Sequence, residues 1–422
     1  MKVLVLGSGG REHALVWHLL KHGHQVEAAT GSDAISSLCK VWSFDNFEQL
    51  KQRCIENHLE FIIVGPEKYL CEGLTDFLAN TGIQIIGPMK SSARLESNKS
   101  WAKSFCERYG IPTARSLRVK SLDEIESALK QFRTPYVIKA SGLAAGKGVL
   151  ITNSLQEARE FGDLCLKSHD SIVIEDYIQG EEVSCFYLVR DKAYCFIGAA
   201  QDHKRLSDND VGPNTGGMGA YSPPPFFSDQ LLERVEKQIV QPTIKGLEAE
   251  GLDYQGFLFL GLMISGSDIS LLEYNCRLGD PETQSILMKL DSDLVTMYRQ
   301  LAPEFGNQTF ATFKPGVAMN VVIAAKGYPE APLKGFRLPD IQNDSKELKF
   351  FHSGTTRTSH GYEANGGRLF SVACLEESLL DCQNRIYNLI ESFKFLDNVS
   401  FRRDIGTRAY KYLLPTKRAS NG

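Results

Sequence analysis

The chain has 422 residues, of which 42% are hydrophobic and 23% charged, and a formal net charge of −4. The length fits about three domains, the composition is that of a globular rather than a disordered protein, and the charge gives nucleic acid no general attraction, so any phosphate site has to be local. No apolar run approaches the roughly 20 residues of a membrane span, and the ten cysteines include no Cys-x-x-Cys pair, which points to reduced thiols in a cytoplasmic protein.

Met1 to Leu6 is apolar but meets Gly7 at once and then Arg11-Glu12-His13, as a buried strand does and a signal peptide does not. Lys2 to Leu6 reads as a parallel strand, Gly7 to Gly10 as a tight turn and Arg11 to Lys21 as a helix. Gln25 to Ala29, Phe61 to Val64 and Ile83 to Ile86 are further strands, with a helix over Phe47 to Asn57. This alternation predicts a doubly wound parallel sheet up to about residue 90. Ligands of such sheets sit at the carboxyl ends of strands, where the Gly7 and Gly65-Pro66-Glu67 turns fall. The first turn offers helix amides to a phosphate, and Arg11 can add a bidentate contact. Glu12 stands where a dinucleotide fingerprint needs its third glycine, so the turn is a poor clamp for NAD.

A helix over Ser97 to Tyr109 leads to a second unit. There the strands Tyr136 to Ala140 and Val149 to Thr152 flank the glycine-rich Ser141 to Gly148. Its Gly146-Lys147-Gly148 has the look of a Walker A loop, but the glycine spacing is one residue short and Gly148 replaces the Ser or Thr that would meet the metal. A flexible flap between two strands is the better reading, and Lys139 on the first strand is placed to meet phosphate. A helix over Leu155 to Lys167 and a strand over Ile172 to Tyr177 complete a small α+β lid. Glu175 to Glu182 ends that strand in an acidic turn, whose default reading is a solvated bend.

Longer strands follow at Val183 to Arg190, Ala193 to Ala200, Gly256 to Ser265 and Ile269 to Asn275, with a helix over Leu231 to Glu250. Asp202-His203-Lys204-Arg205, followed by the glycine-rich Gly212 to Tyr221, suits closure over an anion, with Asp202 free to hold an ammonium group. Glu273 and Asn275 are two residues apart on a strand and so share one face. Their oxygens suit a hard divalent cation that bridges to phosphates. Arg277, Asp280 and Glu282 then surround a Gly and a Pro, a loop poised over a charged substrate. The tail from about Lys326 reads as a small β-rich cap with one helix, Glu376 to Ile390. His13, His18, His22 and His24 cluster early, but without a third acid or cysteine ligand a partly exposed helix face is expected rather than zinc.

Taken in this order, Gly7-Ser-Gly-Gly-Arg-Glu-His13, Gly65-Pro-Glu67, Lys139 to Gly148, Glu181-Glu-Val-Ser184, Gln201 to Arg205, Gly212 to Gly219, Arg277 to Gln284 and Arg403-Asp-Ile-Gly406 resemble the phosphoribosylamine–glycine ligase family of the ATP-grasp superfamily over nearly the whole chain. The chain departs from the family's usual pattern at Lys68-Tyr69, Asn209, Gln255 and Ser353. The resemblance implies ATP-grasp central domains between the doubly wound N-terminal sheet and the C-terminal cap, divided as residues 1–98, 99–190, 191–325 and 326–422. It implies a ligase that activates glycine as glycyl phosphate with ATP and joins it to 5-phosphoribosylamine in purine biosynthesis. Arg277, Asp202 and Lys139 become the candidate catalytic residues. Lys99, Lys139, Gly146, Lys147, Gly148, Glu175, Tyr177, Ile178 and Glu182 are the expected ATP contacts. Gly9, Gly10, Arg11, Glu67, Asp202, Lys204, Arg277, Asp280 and Pro281 are expected around the two small substrates. Glu273 and Asn275 would hold Mg2+ or Mn2+. A monomer acting on small molecules, with no nucleic-acid or membrane partner, is expected. The rival readings are a bicarbonate-using carboxylase of the same superfamily, a nicotinamide-dependent oxidoreductase and a non-catalytic nucleotide sensor.

Overall fold

The computed structural model describes residues 1–143, 148–306, 308–339, 348–393 and 396–413. Its N-terminal sheet has five parallel strands in the spatial order Lys40–Trp42, Gln25–Ala29, Lys2–Leu6, Phe61–Val64 and Gln84–Ile86. Val3 to Leu6 are fully buried, as a central strand covered on both faces requires. The strand order reverses between Lys2–Leu6 and Phe61–Val64, and the Gly7 and Gly65 turns leave the sheet side by side at that switch point. The approach is close: Gly65 donates to Leu6 O at 3.1 Å, and a Cβ on Gly65 would come 2.7 Å from that same oxygen. The short strand Lys40–Trp42 gives too few residues for a pattern to be read in the sequence.

The second unit is a four-stranded antiparallel sheet in the order Ser116–Val119, Ile172–Glu175, Tyr136–Ala140 and Val149–Thr152. Helices Leu122–Leu129 and Leu155–Leu166 share one core with it, through Ile125, Leu129, Ala158, Ile138 and Ile174. The helix expected over Ser97 to Tyr109 runs as Lys99–Arg108, and a short helix, Arg94–Ser97, precedes it. Asn98 separates the two: its backbone is extended, and its side chain caps the second helix by accepting from Trp101 N at 2.9 Å. The helix expected over Leu231 to Glu250 runs as Asp229–Val235, a wide turn Glu236–Val240, and Gln241–Ala249. Pro242 lacks an N–H, and the wide turn just before it absorbs the missing bond.

The largest sheet has nine strands. Asp268–Asn275, Gln255–Ser265, Glu181–Arg190, Ala193–Asp202 and Gly219–Ser222 run into Val317–Ala325, Arg368–Glu376 and Leu348–His352, with Val399–Ser400 on the side. The strands of the C-terminal unit therefore continue the central sheet through the pairing of Gly219–Ser222 with Val317–Ala325. Helix Leu379–Glu391 packs on Val317–Ala325 and Arg368–Glu376. Asn209 takes φ +59°, a left-handed conformation that Asn tolerates and where glycine is the usual choice. Asn209 lies in the hairpin of Arg205–Ser207 and Val211–Asn214, and Arg402, 1% exposed, ties that hairpin to the C-terminal segment through Asp210 at 2.7 Å and Asp404 at 2.7 Å.

The early histidines lie deeper than a partly exposed helix face allows: His13, His18 and His24 are buried. Burial, and then the neighbouring His352, hold His13 down to a pKa of about 3, and its Nδ1 accepts from His352 N at 2.9 Å. His18 is likewise pushed down to about 3, chiefly by burial. His24 pairs with Asp293 at 2.8 Å, which caps helix Leu294–Gln300. Among the described residues no three His, Cys, Asp or Glu side chains gather around a point where a metal could sit.

Candidate active site

The parallel sheet, the small sheet and the long antiparallel sheet converge at the segment Glu273 to Glu282. Glu273 lies opposite Gly261, and Asn275 opposite Phe259, so both oxygens leave the same face near the end of the strand. Burial would raise the Glu273 carboxyl, but Lys204, Lys99, Lys139 and Arg277 together hold it below its ordinary value. A carboxylate and an amide oxygen on one face, ringed by cations, fit a divalent ion that also takes phosphate oxygens.

The cations come from separate elements. Lys139, on the small sheet, is 3.0 Å from Glu175 Oε2 and donates to Leu272 O at 3.1 Å. Glu175 is itself buried and meets Lys103 at 3.2 Å through its other oxygen, while Lys103 donates to Thr113 Oγ1 at 2.6 Å. Burial lowers the Lys103 ammonium despite that carboxylate. Lys99 begins its helix beside the glycine-rich segment, with its N–H on Ser141 O at 2.8 Å and its Nζ on Gly142 O at 3.3 Å. Gly148 closes that segment by accepting from Ala140 N at 2.8 Å, whereas Gly146 and Lys147 lie outside the described residues. Beyond Glu175 the chain turns outward, leaving Tyr177 exposed and Ile178 half-buried. Lys204 donates to Glu182, which draws these two expected contacts of different ligands into one ion pair. Burial works against the Lys204 charge, but Glu182, Glu273 and Asp202 raise its pKa.

Arg277 sits between two carboxylates, Glu67 at 2.9 Å on its Nε and Glu96 at 3.0 Å on its Nη2. Burial would raise Glu67, but Arg277 and the first-turn backbone bring it below the usual carboxylate range. The Gly7 turn is already furnished with partners: Gly9 N donates to Glu12 Oε2 at 2.6 Å and Gly10 N to Ser353 Oγ at 3.0 Å. Arg11 points inward, with its Nε on Glu12 at 2.6 Å and its Nη1 on Leu278 O at 3.0 Å. A phosphate reaching these amides has to displace Glu12 or Ser353.

Asp280 is gripped by Arg368 at 3.1 Å and by Gln284 Nε2 at 2.9 Å. Burial would raise its carboxyl, yet Arg368 and Arg11 keep it low. Pro281 O accepts from Asn320 at 2.9 Å. The segment is loop only as far as Pro281; Glu282–Lys289 is a helix, started by an acidic residue in its first turn. Its polar start is buried, with Ser184 Oγ donating to Glu282 at 3.1 Å and Ser285 Oγ to Ala220 O at 2.9 Å. Asp202 faces this helix: burial, and then Glu282, push its carboxyl well up, and burial raises Glu282 too. Gly217, at φ +106°, separates Asp202 from Pro281, and a Cβ there would meet the proline ring and come 2.9 Å from Asp202 Oδ1.

Glu12, Glu96, Lys103, Glu282, Gln284, Ser353 and Arg368 join the expected residues here. Glu282 and Gln284 stand inside the Arg277 to Gln284 motif, and Lys103 is four positions after Lys99, one helical turn on. Ser353 and Arg368 lie far along the chain, where no local pattern marks them.

Models of the phosphoribosylglycinamide synthetase N domain, ATP-grasp (A) domain and C domain match residues 1–96, 97–283 and 318–408. The phosphoribosylamine–glycine ligase of Rhizobium meliloti is 38% identical over 97% of this chain and 99% of its own length. That of Neisseria meningitidis is 38% identical over 97% of this chain and 99% of its own length. The crystal structure of the Thermotoga maritima phosphoribosylamine–glycine ligase superposes with a TM-score of 0.83 at 34% identity, covering 96% of this chain and 100% of that one. The biotin carboxylase domain of Hydrogenobacter thermophilus 2-oxoglutarate carboxylase shares the fold, with a TM-score of 0.73 at 16% identity, over 95% of this chain and 91% of that one. With its parallel N-terminal sheet, its glycine-bordered lid and its acidic strand end ringed by lysines, this chain belongs to the phosphoribosylamine–glycine ligase family, ATP-grasp enzymes of purine biosynthesis.

Proposed function

We propose that the chain couples ATP to the joining of glycine and 5-phosphoribosylamine through glycyl phosphate. The glycine carboxylate attacks the γ-phosphorus of ATP and ADP leaves; the amine of phosphoribosylamine then attacks the acyl carbon and phosphate leaves, giving glycinamide ribonucleotide. The observation that carries this reading is Glu273, on one strand face with Asn275 and surrounded by Lys204, Lys99, Lys139 and Arg277. Such a site is built for phosphoryl transfer, in which positioning and charge neutralisation do most of the catalysis.

In this reading Lys139 and Lys99 bind the ATP phosphates, and exclusion of water protects the acyl phosphate. Glu175 to Ile178 offers backbone groups to adenine, and Glu182 takes the ribose once Lys204 releases it. Glu273 and Asn275 would hold Mg2+ or Mn2+, which would supply neutralisation of the charge that develops on the phosphates. Asp202, Arg277, Asp280 and Pro281 receive glycine. Gly9, Gly10, Arg11 and Glu67, with Lys204 and Arg277, receive phosphoribosylamine. We read the working units as the four parts divided at residues 98, 190 and 325, with the strand Glu181–Arg190 at the end of the second part paired into the central sheet. No helix among the described residues is long and apolar enough to cross a membrane, and we place the enzyme in the cytoplasm as a monomer.

The test is ADP release with glycine and phosphoribosylamine added separately and together. Sustained release only with both supports the reading. Release driven by bicarbonate and indifferent to glycine, or no turnover with both present, overturns it.

Gly217→Ala tests the glycine subsite. The new methyl forces a positive-φ residue against the Pro281 ring and Asp202. A displacement of that size is expected to cost about 100-fold in kcat/KM for glycine, with the KM for ATP little changed. Unaltered glycine kinetics would place glycine elsewhere.

A further inference from the structure

Arg277 is held by more than its place in the loop. Glu96 comes from the segment Arg94–Ser97, at the junction between the parallel sheet and the lid. Its Oε2 accepts from Cys276 N at 2.8 Å, and its Oε1 lies 3.0 Å from Arg277 Nη2. One carboxylate thus holds both the main chain just before the arginine and the head of the arginine itself. Glu67, on the Nε side, has a side chain 27% exposed against 6% for Glu96. The third partner is Leu278 O, which accepts from Arg277 Nη1 at 3.1 Å and from Arg11 Nη1 at 3.0 Å.

A guanidinium carries five N–H groups. Glu67, Glu96 and Leu278 O engage one each, leaving one on each terminal nitrogen for a ligand. The two carboxylates differ in what their departure would cost. Glu67 can swing into solvent and be rehydrated. Glu96 is buried, and without the arginine it would be an uncompensated charge.

Resting on the substrate reading above, we propose that Glu96 is a positioning residue: it stays paired with Arg277 throughout turnover and aims the two remaining N–H groups at the small-substrate pocket, while the more exposed Glu67 keeps the Nε side and faces the substrate itself. Specificity for the pair of small substrates then depends on a residue that touches neither of them.

The test compares wild type, Glu96→Gln, Arg277→Lys and the double variant in steady-state kinetics, with ATP affinity measured separately by calorimetry. Glutamine keeps an acceptor for Cys276 N but loses the charge that fixes the guanidinium. Glu96→Gln is expected to lower kcat/KM for glycine and phosphoribosylamine by about 10- to 100-fold, the cost of a misplaced catalytic group, and to leave the Kd for ATP within about twofold. Because Glu96 acts through Arg277, the double variant is expected to be no worse than Arg277→Lys alone, a non-additivity that a purely structural role would not produce. Multiplying penalties, or unchanged kcat/KM in Glu96→Gln, overturn the assignment. Should Glu96→Gln not fold, Glu96→Asp keeps the charge but is one carbon too short to span both contacts; wild-type kinetics in that variant overturn it equally. Wild-type turnover run alongside separates the two ideas: its absence overturns the substrate reading and this proposal with it, whereas normal wild-type turnover beside an unaffected Glu96→Gln overturns the role of Glu96 alone.

Discussion

Glu273→Gln is expected to lower turnover by roughly 100- to 1000-fold, the scale set by removing a preorganised electrostatic group from a transition state, and to raise the Mg2+ concentration needed for half-maximal rate. The physical reason is the imbalance it creates. Glu273 is the carboxylate on which the fields of Lys204, Lys99, Lys139 and Arg277 converge, and an amide cannot replace its charge as a ligand for a hard cation. ATP itself should still bind, because Lys99 and Lys139, the proposed phosphate contacts, remain. The check is a Mg2+ titration of kcat beside an ATP isotherm; an unchanged Mg2+ dependence would remove Glu273 from the metal site. The variant also changes the pH response. The folded-state pKa of Glu273 lies below its ordinary value, so its charge contributes stability that is fully present above the unfolded-state pKa and is lost as pH falls through the lower folded-state pKa. Glu273→Gln lacks that contribution, so the loss of stability between neutral and acid pH should be shallower than in wild type.

Lys139→Met is expected to abolish most ATP affinity and, separately, to destabilise the fold by about 1–3 kcal/mol, the range for leaving a buried polar partner short of one bond. Methionine matches the shape of the stem but cannot meet Glu175 Oε2 or Leu272 O, which now lie 3.0 and 3.1 Å from the ammonium. The destabilisation stays below that of a fully orphaned buried charge because Lys103 still stands 3.2 Å from the other Glu175 oxygen. Adding Glu175→Gln to Lys139→Met should restore part of the stability, since a neutral amide tolerates the lost partner, and should restore none of the ATP affinity. Thermal unfolding and ATP calorimetry on the single and double variants measure the two effects independently. Recovered ATP binding in the double variant would mean that Lys139 serves Glu175 and not the nucleotide.

Much of the site could be read before any fold was known, because its parts are short and locally patterned. The i, i+2 spacing of Glu273 and Asn275 required one strand face, and the strand is there. The alternation of strands and helices put the Gly7 and Gly65 turns on one edge of a sheet, and the fold sets them side by side where the strand order reverses. The Arg277 to Gln284 run was visible as a cluster of charge, though its second half proved to be the start of a buried helix. The misreading has a simple cause: Glu282, Thr283, Gln284 and Ser285 look like surface residues, yet they are buried and bonded to Ser184, Gly279, Asp280 and Ala220 in turn, with Gln284 Oε1 left without a partner among the described residues.

Other residues had no local signature. Ser353 reaches Gly10 across 343 positions, and Arg368 reaches Asp280 across 88. Those contacts exist because Val317–Ala325 pairs with Gly219–Ser222 and carries the C-terminal strands onto the edge of the central sheet. Glu96 stood just ahead of the helix read from Ser97 and carried no sign of a role; folding places it in Arg94–Ser97, before the extended Asn98, and buries its carboxylate beside Arg277. Residue order thus settled the chemistry on offer: two oxygen donors, phosphate-seeking lysines and glycine turns, each a property of a few neighbouring residues. Which carboxylate grips which cation was left to the packing of sheets, since ion pairs between segments hundreds of positions apart depend on distances that no stretch of chain encodes alone.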